Sequence, residues 1–256
     1  MNNGRLKKYP RLWVFFVLVF FFNGGLFAAE IRVAVASNFK HTLQKLAADF
    51  KVKTGHDLVV SSASSGKLYA QIVHGAPYDV FLSADEKRAD LLISEKIASA
   101  DSAHIYALGK LVLVSNIKSE PDCKRILNSQ ALQHLAIANP DIAPYGLAAR
   151  QVLDKLELWQ QLRSRIVIGE NISQTFQFVS TKNAEAGFIA SSTLSMGKEI
   201  KYACLWEVPV DLYSPIRQKM VLLEKSRNKK LAWEFTKYMR SPEAKNIIKQ
   251  MGYDVL

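Results

Sequence analysis

No apolar stretch of this chain is long enough to cross a membrane: the longest unbroken run, Leu12 to Phe22, has eleven residues, against the roughly 20 that a spanning helix needs. Cysteine is scarce as well. With only Cys123 and Cys204 in 256 residues, the thiolates for a structural zinc site are missing, and neither a cofactor nor a metal is expected. No Gly-x-Ser-x-Gly motif occurs, so the nucleophile elbow of an α/β-hydrolase is absent. "SSGKL" at 64 to 68 resembles the tail of a phosphate-binding loop, but the leading glycine is missing and Leu68 stands where Ser or Thr would hold magnesium. Acidic residues are in deficit, 23 against 34 Lys and Arg. The basic surplus is not gathered into clusters interleaved with aromatics, which argues against nucleic acid as a partner.

What is present begins at the amino terminus. Arg5, Lys7, Lys8 and Arg11 precede the apolar run, and Asn23, Gly24, Gly25, Ala28 and Ala29 follow it. This is the layout of a secretory signal, expected to occupy residues 1–29 and to send the chain to the periplasm. Removing it lowers the formal charge from +11 to +7, a surplus compatible with a small anionic ligand. In an oxidising compartment Cys123 and Cys204 either pair or remain as two buried thiols.

Beyond the signal, short apolar runs alternate with helical periodicity. "EIRVAVAS" reads as a strand, followed by Phe39, Leu43, Leu46 and Phe50 on one helix face with Gly55 as the stop. "HDLVVSS" leads to a second helix ending at Gly75, and "YDVFLS" to a third headed by Asp85. From 111 to 116, "LVLVSN" starts a second unit: strand "LAIAN", one long helix from Tyr145 to Leu162, strand "IVIG", a helix over 173–181 and strand "AGFIA". "KMVLLE" and two C-terminal helices close the chain. Such alternation predicts an α/β fold of parallel β-α-β units in two lobes. Lobe 1 is expected to hold residues 30–110 and 216–256 and lobe 2 residues 111–215, with a ligand cleft between them.

In such sheets ligands bind beyond the carboxyl ends of the strands, where helix N–H groups lack partners. Four turns fall there, "ASNF" at 36 to 39, "SASSGK" around 63 to 67, "APYG" at 143 to 146 and "GENIS" at 169 to 173. Each alone is an ordinary helix cap. Together, two per lobe, they offer neutral donors converging on a small anion. Asp79, Asp85 and Glu170 lie nearby and are read as structural. Lys67 is read as a solvated lysine in the first turn of its helix, and the five histidines fall away from the four turns.

"VAVASNFKHTLQKLAADF", "SSASSGKLYAQIVHGAPYDVFLSADEKRADLL", "ANPDIAPYGLAARQVLDKLELW" and "EAGFIASS" together resemble the periplasmic molybdate-binding proteins of ABC importers over nearly the whole chain beyond the signal. The resemblance implies a two-lobed periplasmic binding fold of type II. It implies a monomeric, non-enzymatic protein that traps molybdate or tungstate and passes it to a membrane permease. Carried over residue by residue, Ser37 and Ser65 donate through hydroxyl and backbone N–H, and Tyr145 and Ile172 through backbone N–H. Many members of the family carry a ligand tyrosine where this chain has Ala190, and the Asn38 amide is expected to replace that donor. Sulfate or another tetrahedral oxyanion is the alternative ligand, and an exported serine hydrolase the less favoured alternative function.

Overall fold

The structure, a computed structural model, describes Met1 and residues 30–195 and 201–256; apart from Met1, the expected signal segment lies outside the described residues. Strand β1 (Glu30–Ala36) buries Ile31, Val33 and Val35 on one face. It ends in a single 3-10 turn, Ser37–Phe39, that leads into α1 (Lys40–Thr54). Leu43, Leu46 and Phe50 recur on the buried face of α1, and Gly55 stops it with a left-handed φ of 76°, a conformation glycine adopts without steric cost. β2 (Asp57–Ala63), α2 (Ser65–Val73), β3 (Val80–Leu82) and α3 (Glu86–Ser94) repeat the pattern. The Asp85 carboxylate accepts from the Arg88 N–H at the start of α3, as an N-cap does.

The chain then runs through β4 (Ala98–Gly109) and, after Lys110 alone, β5 (Leu111–Ser115). The second unit follows with α4 (Cys123–Ile126), β6 (Leu135–Ala138), α5 (Pro144–Lys155), α6 (Trp159–Leu162), β7 (Ile166–Gly169), α7 (Ile172–Ser180), β8 (Ala186–Ala190) and β9 (Cys204–Glu207). β10 (Ile216–Leu223), α8 (Lys229–Met239) and α9 (Pro242–Gln250) complete the described chain.

Two five-stranded sheets result, ordered β2-β1-β3-β10-β4 and β7-β6-β8-β5-β9. In the first, β1 is parallel to β2 and β3, and β10 is antiparallel to β3 and β4. In the second, β6 is parallel to β7 and β8, and β5 is antiparallel to β8 and β9. Helices α8 and α9 return to the first sheet, where Leu231, Phe235 and Ile248 share a core with Ile31, Val33 and Phe50. Each such fully buried side chain contributes about 1.5–3 kcal/mol of transfer free energy. A Cys123–Cys204 disulfide, Cα atoms 5.4 Å apart, ties α4 to the edge strand β9.

Three segments differ from the sequence expectations. Residues 98–109 form one long edge strand whose pairing with β10 shifts register twice. Its "ASADSAHIYALG" therefore shows no clean alternation. The helix expected over 145–162 is two, because Glu157 takes a left-handed φ of 59° between α5 and α6. β9 is a four-residue edge strand, too short to announce itself by period.

Candidate functional site

The carboxyl ends of β1, β2, β3, β6 and β7 face one another across the gap between the sheets. One small cavity there is lined by Ser37, Asn38, Ser65, Tyr145 and Ile172, all five residues anticipated from sequence, together with Ala36, Ser64, Ala84, Ala143 and Pro144. It has about 10 Å³ of room for the centre of a water-sized sphere and is partly open to solvent, so it is small, with space for about one water. Its walls hold no charged side chain and no histidine, which leaves Ser65 without the base a serine nucleophile requires.

The donors arise from how each helix begins. Ser65 is buried and its Oγ accepts from the Ala84 N–H at 2.9 Å, which fills a lone pair and leaves the hydroxyl hydrogen to donate. Ser64 was not singled out by sequence reasoning. It occupies the N-cap position of α2, yet its side chain makes no capping bond, and its buried Oγ has no hydrogen-bond partner among the described residues. An idle buried hydroxyl costs about 1–3 kcal/mol unless something meets it. A run of serines cannot show which one caps and which one is idle, so no sequence signal separated Ser64 from its neighbour.

In the second lobe the backbone does the donating. Pro144 at the first position of α5 has no N–H, so the Tyr145 N–H is the first that the helix offers. Gly146 holds that end close to β6: a Cβ there would lie 2.2 Å from the Ala138 carbonyl oxygen. At α7 the Asn171 side chain accepts from Ser173 and Gln174 N–H, and the Ile172 N–H, first in the helix, has no intrahelical acceptor.

Asn38 departs from expectation. Its amide donates to Gln218 Oε1 at 2.8 Å and to the Tyr253 hydroxyl at 3.1 Å, so both amide hydrogens are committed inside the protein. Held this way, the side chain has no amide hydrogen left to replace the donor lost at Ala190. Gln218, buried on β10, also accepts from the Tyr106 hydroxyl at 3.0 Å. The Tyr145 phenol points away from the donors toward the crossing between lobes, where a Cβ on Gly109 would lie 2.2 Å from its oxygen. Burial pushes the Tyr106 and Tyr145 phenols well above their ordinary range and that of Tyr253 to about 12, so this network is uncharged at neutral pH.

The nearby charges are engaged elsewhere. Arg88 pairs with Asp85 beside the cleft, Lys67 on α2 meets Glu170 at 2.6 Å from the opposite lobe, and Asp79 accepts from the Arg32 N–H and the Ser226 hydroxyl. A cleft of neutral donors, with helix starts on both sides, is suited to an acceptor-rich anion.

Two lobes that bring helix starts together at a shared small cavity define a solute-binding protein of the periplasmic type. The chain belongs to the family of bacterial extracellular solute-binding proteins, whose model matches residues 31–254. It is 43% identical over 227 residues to the molybdate-binding protein ModA of Azotobacter vinelandii, covering 88% of this chain and 90% of that protein. It is 41% identical to ModA of Rhodobacter capsulatus, covering 88% of each. The solved structure of the Azotobacter vinelandii periplasmic molybdate-binding protein superimposes with a TM-score of 0.84 at 40% identity, over 88% of this chain and 99% of that one.

Proposed function

We propose that this protein captures molybdate, and with it tungstate, in the cleft between its lobes and delivers the anion to the membrane permease of an ABC importer. The observation that carries the reading is the chargeless cavity itself, where Ser64 and Ser65 hydroxyls and the helix starts at Ser37, Tyr145 and Ile172 converge. A fully deprotonated tetrahedral dianion has acceptors only, so N–H and O–H groups that can all donate satisfy it, and bonds to an ionised acceptor are about twice as strong as neutral ones. A protonated oxyanion would need an acceptor for its own hydrogen, and no carboxylate lines the cavity.

The protein acts as a monomeric periplasmic binder without catalytic activity, after removal of residues 1–29. Its lobes are taken as 30–110 with 216–256 and as 111–215, a division supported by sheet membership. Ligand binding to the folded state raises the unfolding temperature by mass action. A thermal-shift panel of molybdate, tungstate, sulfate and phosphate is expected to show stabilisation by the first two at micromolar concentration. A larger shift with sulfate would reassign the ligand, and no shift with any of the four would end the proposal.

A further inference from the structure

Among the hydrogen bonds that cross the cleft, two lie side by side next to the anion cavity and join α2 and α3 to the segment before α5. The Gly66 N–H donates to the Ile142 carbonyl at 2.9 Å, and Arg88 Nη2 donates to the Asp141 carbonyl at 2.9 Å. Gly66 directly follows Ser65, and Ile142 lies three residues before Tyr145, so this seam shares its backbone with the donors on both sides. A Cβ on Gly66 would lie 3.0 Å from Ile142 Cα, from Ile142 Cβ and from Arg88 Nη2, inside the roughly 3.5–4.0 Å at which carbon atoms pack. The Arg88 side chain is only 16% exposed and is steadied by Asp85, itself tied to Ser83 Oγ. The Lys67–Glu170 pair also crosses, but both side chains are about half exposed, and such pairs contribute little.

We propose that Gly66 and Arg88 are positioning residues that set how completely the lobes close, and thereby how long the anion stays bound, without touching it. The inference rests on the anion-binding reading above. Glycine is an odd choice within α2, because alanine is the better helix former. The backbone at Gly66 is ordinary helix, so the missing methyl serves the opposite lobe and not the local fold. Closing brings Ile142 of the opposite lobe against position 66, beside Arg88 of its own lobe, and only a hydrogen there lets the 2.9 Å contact form.

The test is Gly66→Ala in the full mature chain, with molybdate association and dissociation followed by tryptophan fluorescence in a stopped-flow instrument. The expected result has two parts of opposite sign. The thermal midpoint without ligand stays level or rises, because alanine favours the helix. Molybdate dissociates about tenfold faster or more, with little change in association. Arg88→Lys, which keeps the charge and loses the forked reach to Asp141, is expected to raise dissociation by a smaller factor. Unchanged dissociation in Gly66→Ala overturns the proposal, and so does a fall in the unliganded midpoint that matches the loss of affinity, since that is a packing lesion. Failure of the wild type to bind any anion of the panel is a different result, visible before a variant is made, and it would overturn the function instead.

Discussion

Strand orders β2-β1-β3-β10-β4 and β7-β6-β8-β5-β9 follow one plan, three parallel strands and then one antiparallel strand that pairs on its far side with an edge strand. The two lobes nevertheless bring different chemistry to the cleft and are held together differently. Lobe 1 lines the cavity with the hydroxyl-bearing Ser37, Ser64 and Ser65, while lobe 2 lines it with Ala143, Pro144, Tyr145 and Ile172, where backbone N–H groups are the donors the proposal relies on. Lobe 1 is backed by two C-terminal helices, whereas lobe 2 has none of these and carries the disulfide. Side-chain truncation can therefore remove donors from one half of the site and not from the other.

The largest expected effect breaks the symmetry of stability. Replacing Cys123 and Cys204 by serine should cost about 2–4 kcal/mol, confined to lobe 2, because the bridge anchors α4 and β9 to a sheet with no C-terminal helices behind it. Hydrogen exchange resolved by segment would show it; equal loss of protection around α1 and β1 would mean that the lobes unfold as one unit.

Next come the donors. Ser65→Ala should weaken molybdate binding by about 1–3 kcal/mol, since it removes a bond to an ionised acceptor and leaves the Ala84 N–H unpaired. Ser64→Ala should lose a similar amount of affinity while raising unliganded stability slightly, because it deletes an idle hydroxyl. Ile172→Val in the opposite lobe keeps its N–H and should stay within about 0.5 kcal/mol by titration calorimetry. A loss at Ile172 as large as at Ser65 would erase the distinction between the lobes.

An effect of acid is expected in lobe 1. Burial pushes the His104 imidazole down to about 4, with Nε2 unpartnered inside the lobe. The folded state thus holds this histidine neutral while the unfolded chain protonates near 6.5. Its contribution is fully present above pH 6.5 and is lost as pH falls toward 4, by an amount on the order of 1–3 kcal/mol. His104→Gln should flatten the denaturation midpoint over that window, and an unchanged slope would place the acid sensitivity elsewhere.

The smallest effect concerns a lobe 2 side chain, Tyr145, that reaches the crossing. Tyr145→Phe removes a phenol whose contact with Gln218 Nε2 is 3.5 Å, the outer limit of a hydrogen bond, and leaves the backbone donor intact. Molybdate affinity should change by less than about 0.5 kcal/mol. A larger loss would mean that the hinge network transmits to the site.

Much of this was legible without coordinates, for an identifiable reason. Strand-helix alternation and the polar turns "ASNF", "SASSGK", "APYG" and "GENIS" are local signals, written in the residues that make them; which residue of each turn to single out, Ser37, Ser65, Tyr145 and Ile172, was implied by the family resemblance. The break at Glu157 and the edge strands β4 and β9 were not legible, because the first depends on a backbone angle and the others on pairing partners far along the chain.

The amino-acid sequence alone determined the α/β layering and which turns carry donors, since both follow from short-range periodicity and capping. Only the tertiary structure decided which serine is idle, that Asn38 spends its amide on Gln218 and Tyr253, that Cys123 meets Cys204, and that Gly66 lies against Ile142. Each of those is a meeting of residues some 75 to 215 positions apart or the absence of such a meeting, and a hydrogen bond or a clash is fixed by distance in space, which no local pattern encodes.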